Sequence, residues 1–188
     1  MTDAKAAKRR LIEIVKVRSF SMGGETKLVS GRSTNFYFDM KPSMLHAESA
    51  HLIAILMLDA LQDSAVDYIG GLEMGAVPIA AAVAAVSHAG KQPVNAFFVR
   101  KQAKEHGTKS LIEGLPNGDS LKGKRVVIVE DVTTTGGSAV KAAEAVRAEG
   151  AQVVGVVTVI DREEGAHEAF AAAGLTLTPI LTLTDFKS

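Results

Sequence analysis

An open, mostly parallel, twisted α/β sheet flanked by helices is the fold this sequence predicts, and three observations predict it. Short β-branched runs alternate with Ala-rich stretches of helical length along most of the chain. Such alternation builds strand–helix–strand units whose crossovers lay helices on both sheet faces. The run Val126-Val127-Ile128-Val129 is apolar without interruption, as a strand buried on both faces must be. Gly150 and Gly174 fall directly after helical stretches, where a C-terminal cap belongs.

In chain order, residues 4–17 and 47–62 lack internal Gly and Pro, and both read as helices. Residues 66–70 form the first strand, and the Ala/Val-rich stretch 77–88 the helix after it. Strands follow at 94–99 and 126–129, then a helix over 137–149. A strand at 153–160, a helix at 166–172 and a strand at 180–184 complete the alternation. Two stretches stand outside it. Residues 19–45 are rich in Gly, Ser and aromatics and are expected to fold as a small N-terminal hood over the sheet. Residues 101–123 are polar with no hydrophobic period; a connection of that length in a compact domain is usually functional or disordered.

The 188 residues fit one domain, since domains run to roughly 100–200 residues. Lys+Arg and Asp+Glu are equal at 21 each, so no global basic field argues for nucleic acid. The chain has no cysteine, which excludes disulfides and thiolate metal sites and fits a cytoplasmic protein. The N-terminus lacks the apolar core of a signal peptide. The most apolar run, 77–86, is about half of the roughly 20 residues needed to span a bilayer, so no membrane association is expected.

The chemistry concentrates in residues 126–138. Glu130 and Asp131 follow the apolar run, at the strand end where open α/β sheets bind ligands. Thr133, Thr134, Thr135, Gly136, Gly137 and Ser138 then form a turn in front of a helix. Hydroxyls and backbone N–H groups at a helix N-terminus make an anion site. Acceptors for sugar hydroxyls, or for a hydrated cation, thus adjoin donors for a phosphate, a combination that suits a ribose 5-phosphate. No Gly-Lys-Ser/Thr ends the loop, and Gly-x-Gly-x-x-Gly is missing, which excludes a nucleoside-triphosphate P-loop and a dinucleotide fingerprint.

This segment resembles the phosphoribosyl pyrophosphate (PRPP) signature of the type I phosphoribosyltransferases, and the resemblance implies their fold. A second motif, Arg100-Lys101-x-x-Lys104-x-His106-Gly107, resembles the catalytic loop of the orotate phosphoribosyltransferases. In that family the loop closes over the diphosphate, partly from the neighbouring subunit of a dimer. The resemblance assigns Arg100, Lys101, Lys104 and His106 to diphosphate binding and stabilisation, and implies a homodimer with shared active sites. A third, Ser30-Gly31-Arg32 through Tyr37-Phe38-Asp39, resembles the segment that cradles orotate, giving Tyr37 and Phe38 ring stacking and backbone contacts to the pyrimidine. Arg162, after the strand at 153–160, matches the arginine that meets the orotate carboxylate, and Thr134 matches a contact to the base. In Gly70-Gly71-Leu72-Glu73-Met74-Gly75-Ala76 the family presents backbone N–H groups to diphosphate, with Gly75 and Ala76 permitting close approach.

The resemblance covers most of the chain and implies transfer of the 5-phosphoribosyl group from PRPP to orotate, a step of de novo pyrimidine biosynthesis. Mg²⁺ is implied as cofactor, held mainly by PRPP and water near Glu130 and Asp131. Two departures stand out. Many bacterial members have Lys where this chain has Val29, and Tyr-Lys where it has Met74-Gly75. Lys41, or else Lys27, is the expected replacement for the first, since an extended stretch gives Lys41 the side-chain parity of Tyr37 and Asp39. Rival expectations are a purine phosphoribosyltransferase of the same fold, and a non-enzymatic sensor of PRPP or nucleotide.

Overall fold

The computed structural model describes residues 3–27, 33–90, 92–102 and 110–187, and the backbone alone at 24–27 and 33–35. Helix α1, Ala4–Arg18, starts where the Asp3 carboxylate accepts from Lys5 N–H and ends with Lys16 and Arg18 in its last turn. It buries Ala7, Leu11, Ile14 and Val15, one face at helical spacing. Next comes an antiparallel hairpin of β1, Phe20–Lys27, and β2, Ser33–Phe38, with Phe20 opposite Phe38. Phe20, Phe38 and Phe186 form a ring cluster with centroids 4.9–5.3 Å apart. That cluster fastens the hairpin to the C-terminal 3-10 turn, Leu183–Phe186.

A short helix α2, Lys41–Met44, and α3, Ala47–Ala60, lead to β3, Tyr68–Gly70, and α4, Ala76–Ser87. The remaining sheet strands are β4, Asn95–Ala96; β7, Arg125–Thr133; β8, Gln152–Asp161; and β9, Leu177–Thr182, with β5, Phe98–Val99, and β6, Ile112–Glu113, forming a separate ribbon. Helices α5, Gly137–Ala148, and α6, Ala166–Ala172, follow β7 and β8. The five-stranded sheet has the order β4-β3-β7-β8-β9, and every pairing in it is parallel.

The unbroken apolar run of β7 has a direct cause. Val127 and Val129 pack into the core with α1, α3 and α4, whereas Val126 and Ile128 pack into a second core with α5 and α6. A strand clothed on both faces needs apolar residues at both parities. The cost of truncating such a valine or isoleucine is set by lost transfer energy plus cavity, about 1–3 kcal/mol.

The structure moves several boundaries. β7 continues through Glu130 and Asp131 to Thr133, because β8 pairs with it as far as Thr133 opposite Asp161. The two acids therefore lie inside the strand, not beyond its end. The expected strand at 94–99 divides at Phe97: Asn95 and Ala96 pair with β3, and Phe98 and Val99 pair with β6. The final strand begins at Leu177, earlier than expected, and gives way to a 3-10 turn. Thr182 and Asp185 form a reciprocal capping box there, which stops the strand.

Candidate active site

At the carboxyl end of β7 opens a cleft of about 600 Å³. One wall is the Thr133–Ser138 turn; Lys101, Glu130 and Lys141 stand around it. Gly136 shapes the turn. Its φ is +80°, and a Cβ there would also meet the Phe170 ring at 2.9 Å, so a side chain is excluded by backbone and space together. Helix α5 then starts with no side-chain cap and no acid in its first turn. Its first N–H groups and the positive end of its dipole are left facing the cleft.

Two buried polar atoms of the cleft, Glu130 Oε2 and Thr133 Oγ1, have no hydrogen-bond partner among the described residues. Such atoms are costly unless a ligand or water completes them. Burial, first, and then the charge of Asp131 push the Glu130 carboxyl up to about 8, while Lys101 opposes the rise. Asp131 is also raised, mainly by burial, with backbone donation opposing it; its Oδ1 accepts from Val132 N–H at 2.9 Å. The two carboxyls titrate as a coupled pair, and burial pushes both of them upward.

Across from Asp131 lies the turn that opens α4. Gly75 has ordinary helical angles, φ −57° and ψ −40°, so its backbone does not demand glycine. A Cβ at that position would meet Asp131 Oδ1 at 2.6 Å. A side chain at this glycine would therefore have to displace the Asp131 carboxylate. Ala76 is fully buried at the first position of α4. The Glu73–Met74 peptide is cis.

The cationic motif begins where the β5–β6 ribbon ends. Lys101 lines the cleft and also an adjoining cavity of about 590 Å³, between α5 and the ribbon, which Arg100 lines too. Arg100 is restrained by Gln102 O at 3.1 Å and by Glu113 at 3.7 Å. Lys104 and His106 lie outside the described residues.

The base-side residues are less uniformly placed. Tyr37 is 45% exposed, whereas the Phe38 ring is buried in the ring cluster, which leaves only the Phe38 backbone for a ligand. Lys41 begins α2, so the extended parity expected of it does not hold. Its ammonium pairs with Asp39, and its charge opposes the rise of the Asp131 carboxyl. Arg162 is 3% exposed, with Nη2 at 2.7 Å from Glu164 Oε1. Its backbone N–H bonds to Thr133 O at 2.9 Å, which sets it beside the turn. This pair is buried on the arginine side and is no surface salt bridge.

Two residues escape sequence reasoning. Lys141 lines both cavities; its signal is a position one helical turn beyond Gly137. Glu73 accepts from Lys101 N–H at 2.8 Å, a contact no local pattern announces. Among the described residues no group of three or more His, Cys, Asp or Glu could hold a metal ion, and no helix is long and apolar enough to cross a membrane.

Comparison with known proteins places these features in a family. The phosphoribosyl transferase domain model matches residues 43–173. The orotate phosphoribosyltransferases of Rhodopseudomonas palustris strain TIE-1 and Bradyrhizobium diazoefficiens are 56% and 57% identical over 181 residues, 96% of each chain. Orotate phosphoribosyltransferase of Mycobacterium tuberculosis H37Rv, solved with Fe(III) dicitrate, superposes with a TM-score of 0.82 at 41% identity, over 97% of this chain and 99% of that one. The same enzyme solved with PRPP gives a TM-score of 0.79 at 38% identity over the same shares. An adenine phosphoribosyltransferase of Rhodothermus marinus shares the fold at 19% identity and a TM-score of 0.68, over 93% of this chain and 99% of that one.

Proposed function

The chain belongs to the phosphoribosyltransferase family, among the orotate phosphoribosyltransferases, and from that premise we propose how its cleft works. It transfers the 5-phosphoribosyl group of PRPP to N1 of orotate, giving orotidine 5′-monophosphate and diphosphate. One observation carries the site assignment: Glu130 Oε2 and Thr133 Oγ1 are buried without partners beside the uncapped start of α5. A ribose 5-phosphate supplies what each lacks. Its hydroxyls meet the Glu130–Asp131 pair, and its phosphate takes the N–H groups and hydroxyls of Thr133, Thr135, Gly136, Gly137 and Ser138, leaving Thr134 for the base.

The reaction breaks the C1–O bond to diphosphate and forms the C1–N1 bond to orotate. The departing diphosphate gains charge as the ribosyl centre becomes oxocarbenium-like. Cations that tighten on it in the transition state lower the barrier. Lys101 lines the cleft and Arg100 the cavity beside it, and the family motif assigns both to this role together with Lys104 and His106. Gly75 offers its backbone N–H from the opposite turn, Ala76, whose own N–H bonds to Leu72 O at 3.3 Å, permits close approach there, and orotate N1 arrives largely anionic, so no protein base is needed.

Tyr37 and the Phe38 backbone receive the pyrimidine. Arg162 receives the orotate carboxylate by exchanging it for that of Glu164, a bidentate match to its planar fork. Lys41 adds positive charge at the hood side of the cleft. Glu130 and Asp131, two adjacent carboxylates with no third ligand among the described residues, would suit a hydrated Mg²⁺ held mainly by substrate, which would supply charge neutralisation to the departing diphosphate. The active unit is a homodimer of a single-domain, cytoplasmic chain, with hood residues 19–45 and catalytic loop 101–123.

Steady-state assays with PRPP and orotate, uracil, hypoxanthine or adenine test this reading. Turnover with orotate alone is expected. Preference for a purine would overturn the acceptor and spare the fold.

A further inference from the structure

A carboxylate in a turn that receives diphosphate adds negative potential where an anion must bind. Glu73 therefore violates a local electrostatic rule, and such violations need a compensating gain. The backbone pairing around it shows one. Val99 uses both its groups on the turn: its N–H bonds to Gly71 O, and its carbonyl accepts from Glu73 N–H, each at 2.8 Å. Arg100 N–H points the other way, to Leu111 O at 2.9 Å. By strand alternation the N–H of Lys101 faces the turn again. There the turn has curved away into α4, which begins at Ala76, and among the described residues no backbone carbonyl takes the bond. The Glu73 carboxylate takes it instead, at 2.8 Å. The side chain thus adds one rung to a ladder that the backbone cannot continue.

We propose that Glu73 is a positioning residue: its hydrogen bond to the Lys101 amide fixes where the Lys101 ammonium stands in the cleft, and ties the diphosphate turn to the start of the cationic motif. Glu73 touches no reacting atom; it acts through Lys101. The proposal rests on the phosphoribosyl-transfer reading given above. It also accounts for the carboxylate's cost, since a half-buried acid whose oxygen is spent on an amide repels diphosphate less than a free one.

The test is a mutant cycle on the full-length enzyme with PRPP, orotate and Mg²⁺. Glu73→Ala is expected to lower kcat about 10- to 100-fold, the scale of one lost charge-assisted hydrogen bond, with KM for orotate and Tm unchanged. Glu73→Gln keeps an acceptor oxygen at the same place and is expected to restore most of kcat. In a Lys101→Ala background, where the ammonium is gone but the amide remains, Glu73→Ala is expected to have a much smaller effect than in the wild type, because most of its action runs through that ammonium. Three results would each overturn the proposal: wild-type kcat in Glu73→Ala, no rescue by Glu73→Gln, or strictly additive effects in the double variant. Wild-type turnover is measured first. Its absence would remove the reading of the cleft itself, whereas turnover with an inert Glu73→Ala removes only this role.

Discussion

Glu130→Gln isolates the electrostatics of the cleft. The Glu130 carboxyl is held at about 8 against an ordinary 4.5, chiefly by burial and then by Asp131. Between those two pH values the folded state binds a proton that the unfolded state has lost. Stability from this group is therefore fully present below about pH 4.5 and lost as pH rises through about 8. The interval from 4.5 to about 8, at about 1.4 kcal/mol per pH unit, sets an upper limit of about 5 kcal/mol. The side chain is half-buried, not sealed, and water relaxing around it reduces the effect to about 2–4 kcal/mol. Glutamine keeps the shape and does not titrate. Urea unfolding of ligand-free protein at pH 5, 6, 7, 8 and 8.5 is the assay. The variant should match the wild type near pH 5 and exceed it by about 2–4 kcal/mol at pH 8.5. Parallel stability profiles across that range would refute the reasoning.

Three further substitutions probe other walls of the site. Gly75→Ala places a Cβ against Asp131 Oδ1, 2.6 Å away, and should cost about 1–3 kcal/mol of stability while raising KM for PRPP, read by thermal melts and initial rates. Lys141→Met should raise KM for PRPP about 5- to 50-fold and flatten its salt dependence, with KM for orotate unchanged; equal salt slopes would make Lys141 a bystander. Lys104→Ala should lower kcat by about two to four orders of magnitude with little change in Tm, and a near-wild-type kcat would return that side chain to a solvated role.

Legibility in the sequence follows the range over which each feature is encoded. The helix at 166–172 and the starts of those at 4 and 137 coincide with the structure, because the Asp3 cap of the first, the glycines at 136 and 165 before the others and helical composition are local signals. The central strand is legible from Val126 to Val129, yet its extension through the acids depends on pairing with β8, which no local pattern contains. β5 lies within the expected strand at 94–99, but its separation from β4 and its pairing with β6 are unreadable in advance, since two-residue strands carry no measurable alternation. At the site, Glu130, Asp131 and the turn to Ser138 are legible because consecutive positions carry them. Gly75 looks like a missing cation in sequence and becomes intelligible only against Asp131. Phe38 reads as a base contact, but its ring is claimed by Phe20 and Phe186, one of them far along the chain. Lys41 reaches the Asp131 field from the start of a helix, not from an extended strand.

The most direct measurement follows orotate absorbance and diphosphate release together, in one reaction of enzyme, PRPP, Mg²⁺ and orotate. The account predicts one diphosphate released for each orotate consumed, and no release when orotate is omitted. Diphosphate released without loss of orotate, or no consumption of orotate at all, would contradict it.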